Sequence, residues 1–534
     1  MNLKKYYLVL LAVLFAILHW MAWPALGAAP LLFIAWVPLL LIENHFIENP
    51  ALRKRKFFWL TWLAFFLFNI LTTWWVYFAS AFGAVMAIIL NSLFMSVTVF
   101  IFHLVHRKFR KPAVYIFLIT IWITWEWLHL DWDLSWPWLT MGNGLAAYCK
   151  WIQWYEYTGV FGGTIWILLS NIVVFHLYQN YKSNGIISSK LSIVWIALIA
   201  LPIVLSVIMY YNYKEKINLV NVVVLQPNID PYNEKFGGMS GQDQLKKMLA
   251  ISSEYVDSTT DYLIGPETSI PYSVWEDRLN SNQQIQFLKS YVAAFPKLTI
   301  ITGAATNRHY DAGAPHSGTA RKFAESEEYY DSYNTALQID TSPSIELYHK
   351  SKLVPGVEKM PFAALLKPIE KIAFDLGGTS GSLGVQKEPS VFTNKVADKK
   401  TVVGPIICYE SIYGEYVSKY VQKGATVLFI ITNDGWWYDT PGYRQHLQYG
   451  RMRAIEMRRS IARSANTGTS AIINQRGDLE QVTAFWVPAA IKASINANDE
   501  ITFYAKHGDY LAKLSAALSV LILLCALILK PKNN

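Results

Sequence analysis

Three short apolar runs in this chain end in residues that together can carry out acyl transfer. Thr401-Val402-Val403-Gly404-Pro405-Ile406-Ile407 stops at Cys408, with Tyr409, Glu410 and Ser411 following. Asp261-Tyr262-Leu263-Ile264-Gly265-Pro266 stops at Glu267, and Leu347-Tyr348-His349 stops at Lys350, with Glu358 in the loop beyond. A strand that stops at a sharp turn holds its last side chain out at the sheet edge, which is how α/β folds present a nucleophile. A thiol needs a base to become a thiolate, and a neighbouring cation lowers its pKa. Carboxylate, ammonium and thiol are therefore a complete set. Each residue also has a plainer reading: Cys408 as a small buried hydrophobe, Glu267 as the neighbour of a helix N-cap, Lys350 as a solvated surface lysine. The coincidence of all three at strand ends favours the chemistry. A fourth apolar run, Ala425 to Thr432, ends in Asn433-Asp434-Gly435-Trp436-Trp437, where Asn-Asp has an ordinary turn as its plainer reading.

The elements that must position these residues begin near Ile217. From there the apolar runs shorten to strand length and alternate with amphipathic stretches, an α/β pattern. Strands are expected over 218–226, 261–266, 298–305, 333–339, 344–349, 401–408, 425–432 and 469–474, and helices over 240–257, 280–295, 411–423 and 443–464. The last helix carries Arg444, His446, Arg451, Arg453, Glu456, Arg458, Arg459 and Arg463. It is expected to show mostly a solvated, salt-bridged face, with one or two arginines free to meet a lipid phosphate. The stretch 310–330 and the Gly/Ser-rich 376–384 read as loops.

Before Ile217 the chain is a series of apolar runs. Met1 to Trp23, then roughly 30–43, 57–78, 83–105, 113–130, 159–179 and 191–211, and finally 510–529, make eight expected spans. Most are near the ~20 residues that cross a bilayer, and 30–43 is short. Ala25-Leu26-Gly27-Ala28-Ala29 resembles a small-residue cleavage site, but the spans that follow at once favour an uncleaved first span. Lys4-Lys5, Arg53 to Lys56, Arg107 to Lys111, Lys182 to Lys190 and Lys530 to Lys532 fall in alternate loops or tails. By the positive-inside rule both termini are expected in the cytoplasm and Tyr213 to about Ala505 outside it. The expected domains are a transmembrane bundle over 1–212 with a Trp-rich loop at 131–158, an extracytoplasmic domain over 213–505, and a last helix with a tail over 506–534. The Trp-rich loop reads either as an aromatic belt helix at the membrane surface or as a lipid-facing floor. Glu126 is costly facing lipid, so it is expected to face the bundle or snorkel.

Composition agrees with this layout. Of the 534 residues 53% are hydrophobic and only 16% charged, with 21 Trp and 31 Tyr. That suits a membrane protein carrying a large soluble portion. The net charge of +9 sits largely in short loops and tails. It reads as a topology signal and headgroup attraction, not nucleic-acid binding. Cys149 and Cys525 lie in or beside apolar segments, so no disulfide framework is expected. His349 and His446 stand in no ligand cluster, and neither a Cys-x-x-Cys nor a glycine-rich phosphate loop occurs, so no metal or cofactor is expected.

The order Glu267…Lys350…Cys408, with Tyr348-x-Lys350-x-x-Leu353-Val354-Pro355 and Cys408-Tyr409-Glu410, resembles the nitrilase (carbon-nitrogen hydrolase) superfamily. Cys-Tyr-Glu inside a polytopic chain resembles, within it, the apolipoprotein N-acyltransferases. Glu126-Trp127-Leu128, Trp136-Pro137-Trp138-Leu139, Gly159-Val160-Phe161-Gly162-Gly163 with Asn171, and Asn433-Asp434-x-Trp436 resemble further parts of that family. The resemblance implies an αββα sandwich with Cys408 as nucleophile and Glu267 as proton acceptor. Lys350 and the backbone N–H of Tyr409 would stabilise the oxyanion. Glu358 would orient Lys350 or Glu267, Glu410 would shape the pocket, and Asn433 would support it. The implied acyl donor is a phospholipid, and the acceptor is the free amino group of a diacylglyceryl-cysteine apolipoprotein. The setting is a bacterial inner membrane, and a monomer is expected.

Two positions depart from the family pattern. Gly356-Val357-Glu358 stands where Phe-Gly-Glu is common, and Phe236 where a Trp is frequent. Phe236, Met360, Phe362 and Trp436 are expected to touch acyl chains or bilayer, and the loops 235–240 and 355–385 to move. Two rival readings share the residues: a membrane-tethered amidase using water, and a non-enzymatic polytopic sensor or transporter.

Overall fold

The computed structural model describes residues 3–109, 113–362, 382–396 and 401–528. Most of the expected loop 355–385, with all but the end of its Gly/Ser run, lies outside the described residues. The chain divides into two compact units. One comprises Met1–Tyr77, Ala81–Asn212 and His507–Asn534, the other Phe78–Ser80 and Tyr213–Lys506.

Among the described residues of the first unit, six helices are long and apolar enough to cross a membrane: Ala29–Glu48, Lys54–Thr73, Ala81–Lys108, Tyr155–Asn184, Ser189–Asn212 and Tyr510–Ile528. Two shorter apolar helices, Tyr6–Ala22 and Val114–Leu128, occupy the two remaining expected segments. The segment expected over 30–43 is longer than its apolar run because a 3₁₀ stretch, Ala29–Phe33, precedes the helix Val37–Glu48. Such a break leaves backbone groups without helical partners, which is expensive away from water. Asn171 supplies them: its amide donates to the Leu32 carbonyl at 2.7 Å and accepts from the Trp36 N–H at 2.7 Å. Glu126 is buried and accepts from Trp122 Nε1 (2.9 Å), the Met141 N–H (2.7 Å) and Thr164 Oγ1 (2.8 Å). It faces inward and pins the Trp-rich stretch. That stretch forms short 3₁₀ turns, Pro137–Leu139, Met141–Leu145 and Cys149–Trp151, not a belt helix. Trp138 is 1% exposed and packs on Trp75 with ring centroids 4.8 Å apart.

The second unit contains two sheets. In the first, β1 (Leu219–Gln226), β2 (Tyr262–Ile264), β4 (Thr299–Tyr310) and β6 (Tyr329–Ile339) form the centre. β3 (Ile270–Trp275), β5 (Arg321–Lys322), β7 (Glu346–His349) and β14 (Ala489–Asn496) complete it. The second runs β13 (Leu479–Val482), β12 (Ala471–Ile473), β11 (Ile461–Ala465), β10 (Val427–Thr432), β9 (Val402–Ile407), β8 (Phe392–Thr393). β1, β2 and β4 are parallel, as are β9, β10 and β11.

The sheets face each other. Ser464 Oγ on β11 donates to the Leu225 carbonyl on β1 at 2.7 Å, and Tyr262 on β2 meets Phe429 on β10 edge-on at 5.2 Å. Helices Gly241–Ser252 and Gln283–Ala293 cover the outer face of the first sheet through Leu245, Met248, Ile285 and Leu288 against Val223, Leu263 and Ile300. Helices Gly414–Gln422 and Pro441–Met457 pack against the second sheet: Tyr420 Oη donates to the Pro405 carbonyl at 3.2 Å. The result is an αββα sandwich. Because both faces of each sheet are covered, the central strands read as continuous apolar runs. Pro405 sits in β9 beyond the two residues that β8 pairs, where a missing N–H is tolerated.

The basic helix expected over 443–464 is corrected. It ends at Met457, capped by Arg458 in a left-handed conformation (φ 48°), and residues 461–465 form the inner strand β11. Arg444 is exposed and pairs with Asp439 at 2.9 Å as expected, but most of the other arginines are not a solvated face. Arg453, Arg459 and Arg463 are at most 1% exposed and bind Glu456, backbone carbonyls and Asp434 respectively. Arginine at such positions reads as surface in a sequence, although here Arg453, Arg459 and Arg463 are enclosed with a carboxylate or carbonyl partner each.

Candidate active site

Glu267 and Lys350 meet as the sequence implies. Lys350 Nζ lies 3.1 Å from Glu267 Oε1 and 2.8 Å from Glu358 Oε1, and Lys350 is 1% exposed. Glu267 follows β2 through Gly265-Pro266, and Lys350 follows β7. Gly303 is required beneath Glu267: a Cβ there would stand 2.7 Å from the Glu267 Cα and 2.4 Å from the Thr268 nitrogen. Sequence reasoning missed Asn334. Its Nδ2 donates to Glu267 Oε1 (2.7 Å) and to Glu358 Oε1 (3.1 Å), so one amide and one ammonium hold both carboxylates. Glu358 also accepts the Val354 N–H at 2.8 Å, closing the loop after Lys350 despite Gly356-Val357.

These contacts set the protonation states. Burial alone would raise Glu267, but the Lys350 charge, the Asn334 hydrogen bond and Lys235 outweigh it and hold the carboxyl below its usual range. Lys350 stays a cation: burial opposes the charge, and Glu267 and Glu358 more than compensate. Lys235, also missed, is buried and donates to the Glu267 carbonyl at 2.9 Å. Burial, partly offset by Glu267, pulls it down to about 8.

Cys408 lies at the end of β9 with φ 49°, a left-handed turn that non-glycine residues rarely adopt. Burial and the nearby Glu267 charge push its thiol up, and Lys350 offsets this only in part. This corrects the expectation that a neighbouring cation would leave a lowered pKa. The resting group is a protonated thiol. Glu410 is a buried brace behind the turn. It accepts the Ile407 N–H (2.9 Å) before Cys408 and the Ser351 N–H (2.7 Å) after Lys350, with the Tyr348 hydroxyl as a further donor. One carboxylate thus ties the lysine loop to the nucleophile turn.

The other expected residues divide by exposure. Tyr409 is buried against Tyr413 at 5.3 Å, and Asn433 is buried, its Oδ1 accepting from Asn466 Nδ2 at 3.1 Å. Phe236 is 47% exposed and stacks on Trp436 at 6.0 Å, and Phe362 is 42% exposed. Met360 is buried at 4% and offers no open surface.

An αββα sandwich with a cysteine, a glutamate and a lysine at its strand ends is the arrangement of nitrilase-like proteins. Residues 223–499 match the family model described as carbon-nitrogen hydrolase, and residues 15–173 match the apolipoprotein N-acyltransferase N-terminal domain. The chain belongs to the carbon-nitrogen hydrolase family. An apolipoprotein N-acyltransferase of Chlorobaculum tepidum is 29% identical, with 99% of this chain and 97% of that protein covered. One of Geobacter metallireducens is 23% identical, covering 94% and 92%. A nitrilase-superfamily amidase from Nesterenkonia aligns at 13% identity and a TM-score of 0.36, covering 55% of this chain and 96% of that one.

Proposed function

We propose that this protein is an apolipoprotein N-acyltransferase that moves a fatty acyl chain from a membrane phospholipid to the N-terminal amino group of a diacylglyceryl-cysteine lipoprotein. The observation that carries the reading is the buried Glu267–Lys350 pair beside an elbow-held Cys408, on a chain that also bears apolar helices of membrane-spanning length. Two relatives that align over most of their length bear that enzyme's name.

In the first half-reaction the Cys408 thiol passes its proton to Glu267 as the sulfur attacks the ester carbonyl. The carbonyl π electrons move onto oxygen, and Lys350 with the backbone N–H of Tyr409 stabilises that oxyanion. Collapse breaks the C–O bond, Glu267 returns the proton to the leaving oxygen, and lysophospholipid departs, leaving a thioester. In the second half-reaction Glu267 takes a proton from the incoming amine as it attacks, and the thiolate is expelled and reprotonated. Glu358 and Asn334 keep Lys350 and Glu267 in register. Phe236, Trp436 and Phe362 are the apolar contacts for acyl chains. The topology in this reading has eight spans, both termini cytoplasmic and the catalytic unit outside. The site uses no cofactor.

The test is intact mass after incubation with phospholipid alone. One acyl mass should add to the protein and be removed by hydroxylamine. Cys408→Ala should abolish the adduct, whereas Cys149→Ala and Cys525→Ala should keep it. An adduct that survives Cys408→Ala and vanishes with Cys149→Ala assigns the nucleophile elsewhere.

A further inference from the structure

Behind the nucleophile turn lies a second buried cluster that the reaction scheme does not use. His446, on helix Pro441–Met457, is 1% exposed. Its Nδ1 is 3.0 Å from Asp434 Oδ1, and its Nε2 is 2.8 Å from Ser411 Oγ and 3.2 Å from the carbonyl oxygen of Cys408. Ser411 Oγ donates to that same carbonyl at 2.8 Å. Asp434 also accepts from Thr432 Oγ1 at 2.9 Å and from Arg463 Nη2, which itself stands 3.1 Å from His446 Nδ1. Ser411, Asp434 and Thr432 are fully buried and Arg463 is 1% exposed.

Counting protons orients the array. A hydroxyl has one hydrogen, and that of Ser411 goes to the Cys408 carbonyl. The Ser411 oxygen also meets His446 Nε2, so hydroxyl and ring are joined beside the carbonyl. The Asp434 carboxylate, held below its usual range by Arg463 and His446 against the effect of burial, anchors the opposite edge of the ring. The Cys408 carbonyl is therefore gripped by the Ser411 O–H, with His446 packed against both and braced by Asp434.

That grip has a consequence on the other side of the same peptide bond. The Cys408–Tyr409 peptide is planar and trans, so its C=O and N–H point in opposite directions. Fixing the carbonyl toward His446 aims the Tyr409 N–H away from it; Cys408 has a left-handed φ and opens a single short 3₁₀ turn, Cys408–Ile412, so the side-chain contacts add to that turn in holding the plane. We propose that Ser411, His446 and Asp434 form an oxyanion-hole clamp: positioning residues that set the direction of the Tyr409 N–H by holding the Cys408 carbonyl. The inference rests on the reading of Cys408 as nucleophile and of the Tyr409 N–H as oxyanion donor.

Two reactions of the same thiol separate this role from scaffolding. Acylation by phospholipid develops an oxyanion and needs the clamp; alkylation by iodoacetamide displaces iodide at carbon and does not. Ser411→Ala, His446→Asn and His446→Gln are made in the full chain, and both rates are followed by mass spectrometry of the Cys408 peptide. His446→Asn, which cannot reach Ser411, should slow acylation ~10- to 100-fold at saturating donor with the half-saturating concentration unchanged, since misplacement by about 1 Å costs up to ~10²-fold. His446→Gln, whose longer amide can return a polar group to the Nε2 position, should recover part of that rate, and Ser411→Ala should lose several-fold. Alkylation should stay within about twofold of the parent in all three. Unchanged acylation in His446→Asn and Ser411→Ala overturns the clamp, as does an equal fall of acylation and alkylation. If the His446 variants do not fold, Ser411→Ala decides by the same two rates. An acyl adduct that persists in Cys408→Ala overturns the underlying nucleophile assignment instead, and that control is read independently of the clamp variants.

Discussion

At the scale of single residues, charge is distributed so that a buried thiol can react without resting as an anion. Glu267 is ionised because Lys350 and Asn334 outweigh its burial, while Cys408 keeps its proton. Acylation needs that combination, so its single-turnover rate should stay flat as pH falls from 7 to about 5 and decline only below the ordinary Glu value of about 4.3. Lys350→Met should slow acylation roughly 10²–10³-fold by loss of an oxyanion donor. It should also move the acid limb upward, because burial of Glu267 is then opposed only by the Asn334 hydrogen bond and Lys235. A limb that does not move would separate Lys350 from the ionisation of Glu267.

Lys235 gives a stability prediction of opposite sense. Its folded value of about 8 lies below the unfolded ~10.4, so the charged lysine destabilises the fold below pH 8. That cost is relieved as pH rises from about 8 to about 10.4, because the unfolded chain then binds the extra proton. Lys235→Met should therefore raise the unfolding free energy at pH 7 by up to about 3 kcal/mol before the lost hydrogen bond to Glu267 is counted, raising the unfolding temperature with it, and the difference should shrink above pH 9. Thermal unfolding at pH 7 and pH 10 checks it.

At the scale of elements, the site is assembled where strands stop. β2, β7 and β9 deliver Glu267, Lys350 and Cys408, and the fit leaves no room under Glu267. Gly303→Ala puts a methyl 2.7 Å from the Glu267 Cα, so the backbone must shift. Acylation should drop about 10- to 100-fold with the circular dichroism unchanged; parent-like acylation would mean the turn is free to move. On the surface of the second unit, Phe236 stacks on Trp436, and its 47% exposure leaves a face open. Phe236→Ser should weaken the use of long-chain donors more than short-chain ones. Equal loss for both would make Phe236 a packing residue only.

At the scale of the whole molecule, six helices of spanning length and two shorter apolar ones among the described residues lie on the eight segments that hydropathy and charge alternation pick out. The alternation of Lys/Arg-bearing loops gives the expected topology its sign. A reporter fused after Tyr213 should behave as exported. Cytoplasmic behaviour there would remove the extracytoplasmic placement and, with it, the access of the site to the lipoprotein.

What the sequence determined by itself was whatever local pattern encodes. Apolar runs of bilayer length mark the helices, because a membrane imposes a length on them. Strand runs stopping at Glu267, Lys350 and Cys408 mark the proposed reactive side chains, because a sheet edge is where a side chain is held out. Tertiary structure alone decided what surrounds them. Asn334 lies inside β6, and nothing local sets it apart from any strand polar residue until folding brings it between Glu267 and Glu358. Lys235 reads as a loop lysine, and only burial makes it a low-pKa cation. Arg453, Arg459 and Arg463 read as a solvated face because charge in a sequence signals water, whereas these guanidinium groups are enclosed with partners from distant segments. His446 reads as an isolated histidine for the same reason: Asp434, Ser411 and the Cys408 carbonyl reach it only across the folded sheet, and the direction of the Cys408–Tyr409 peptide exists only once they do.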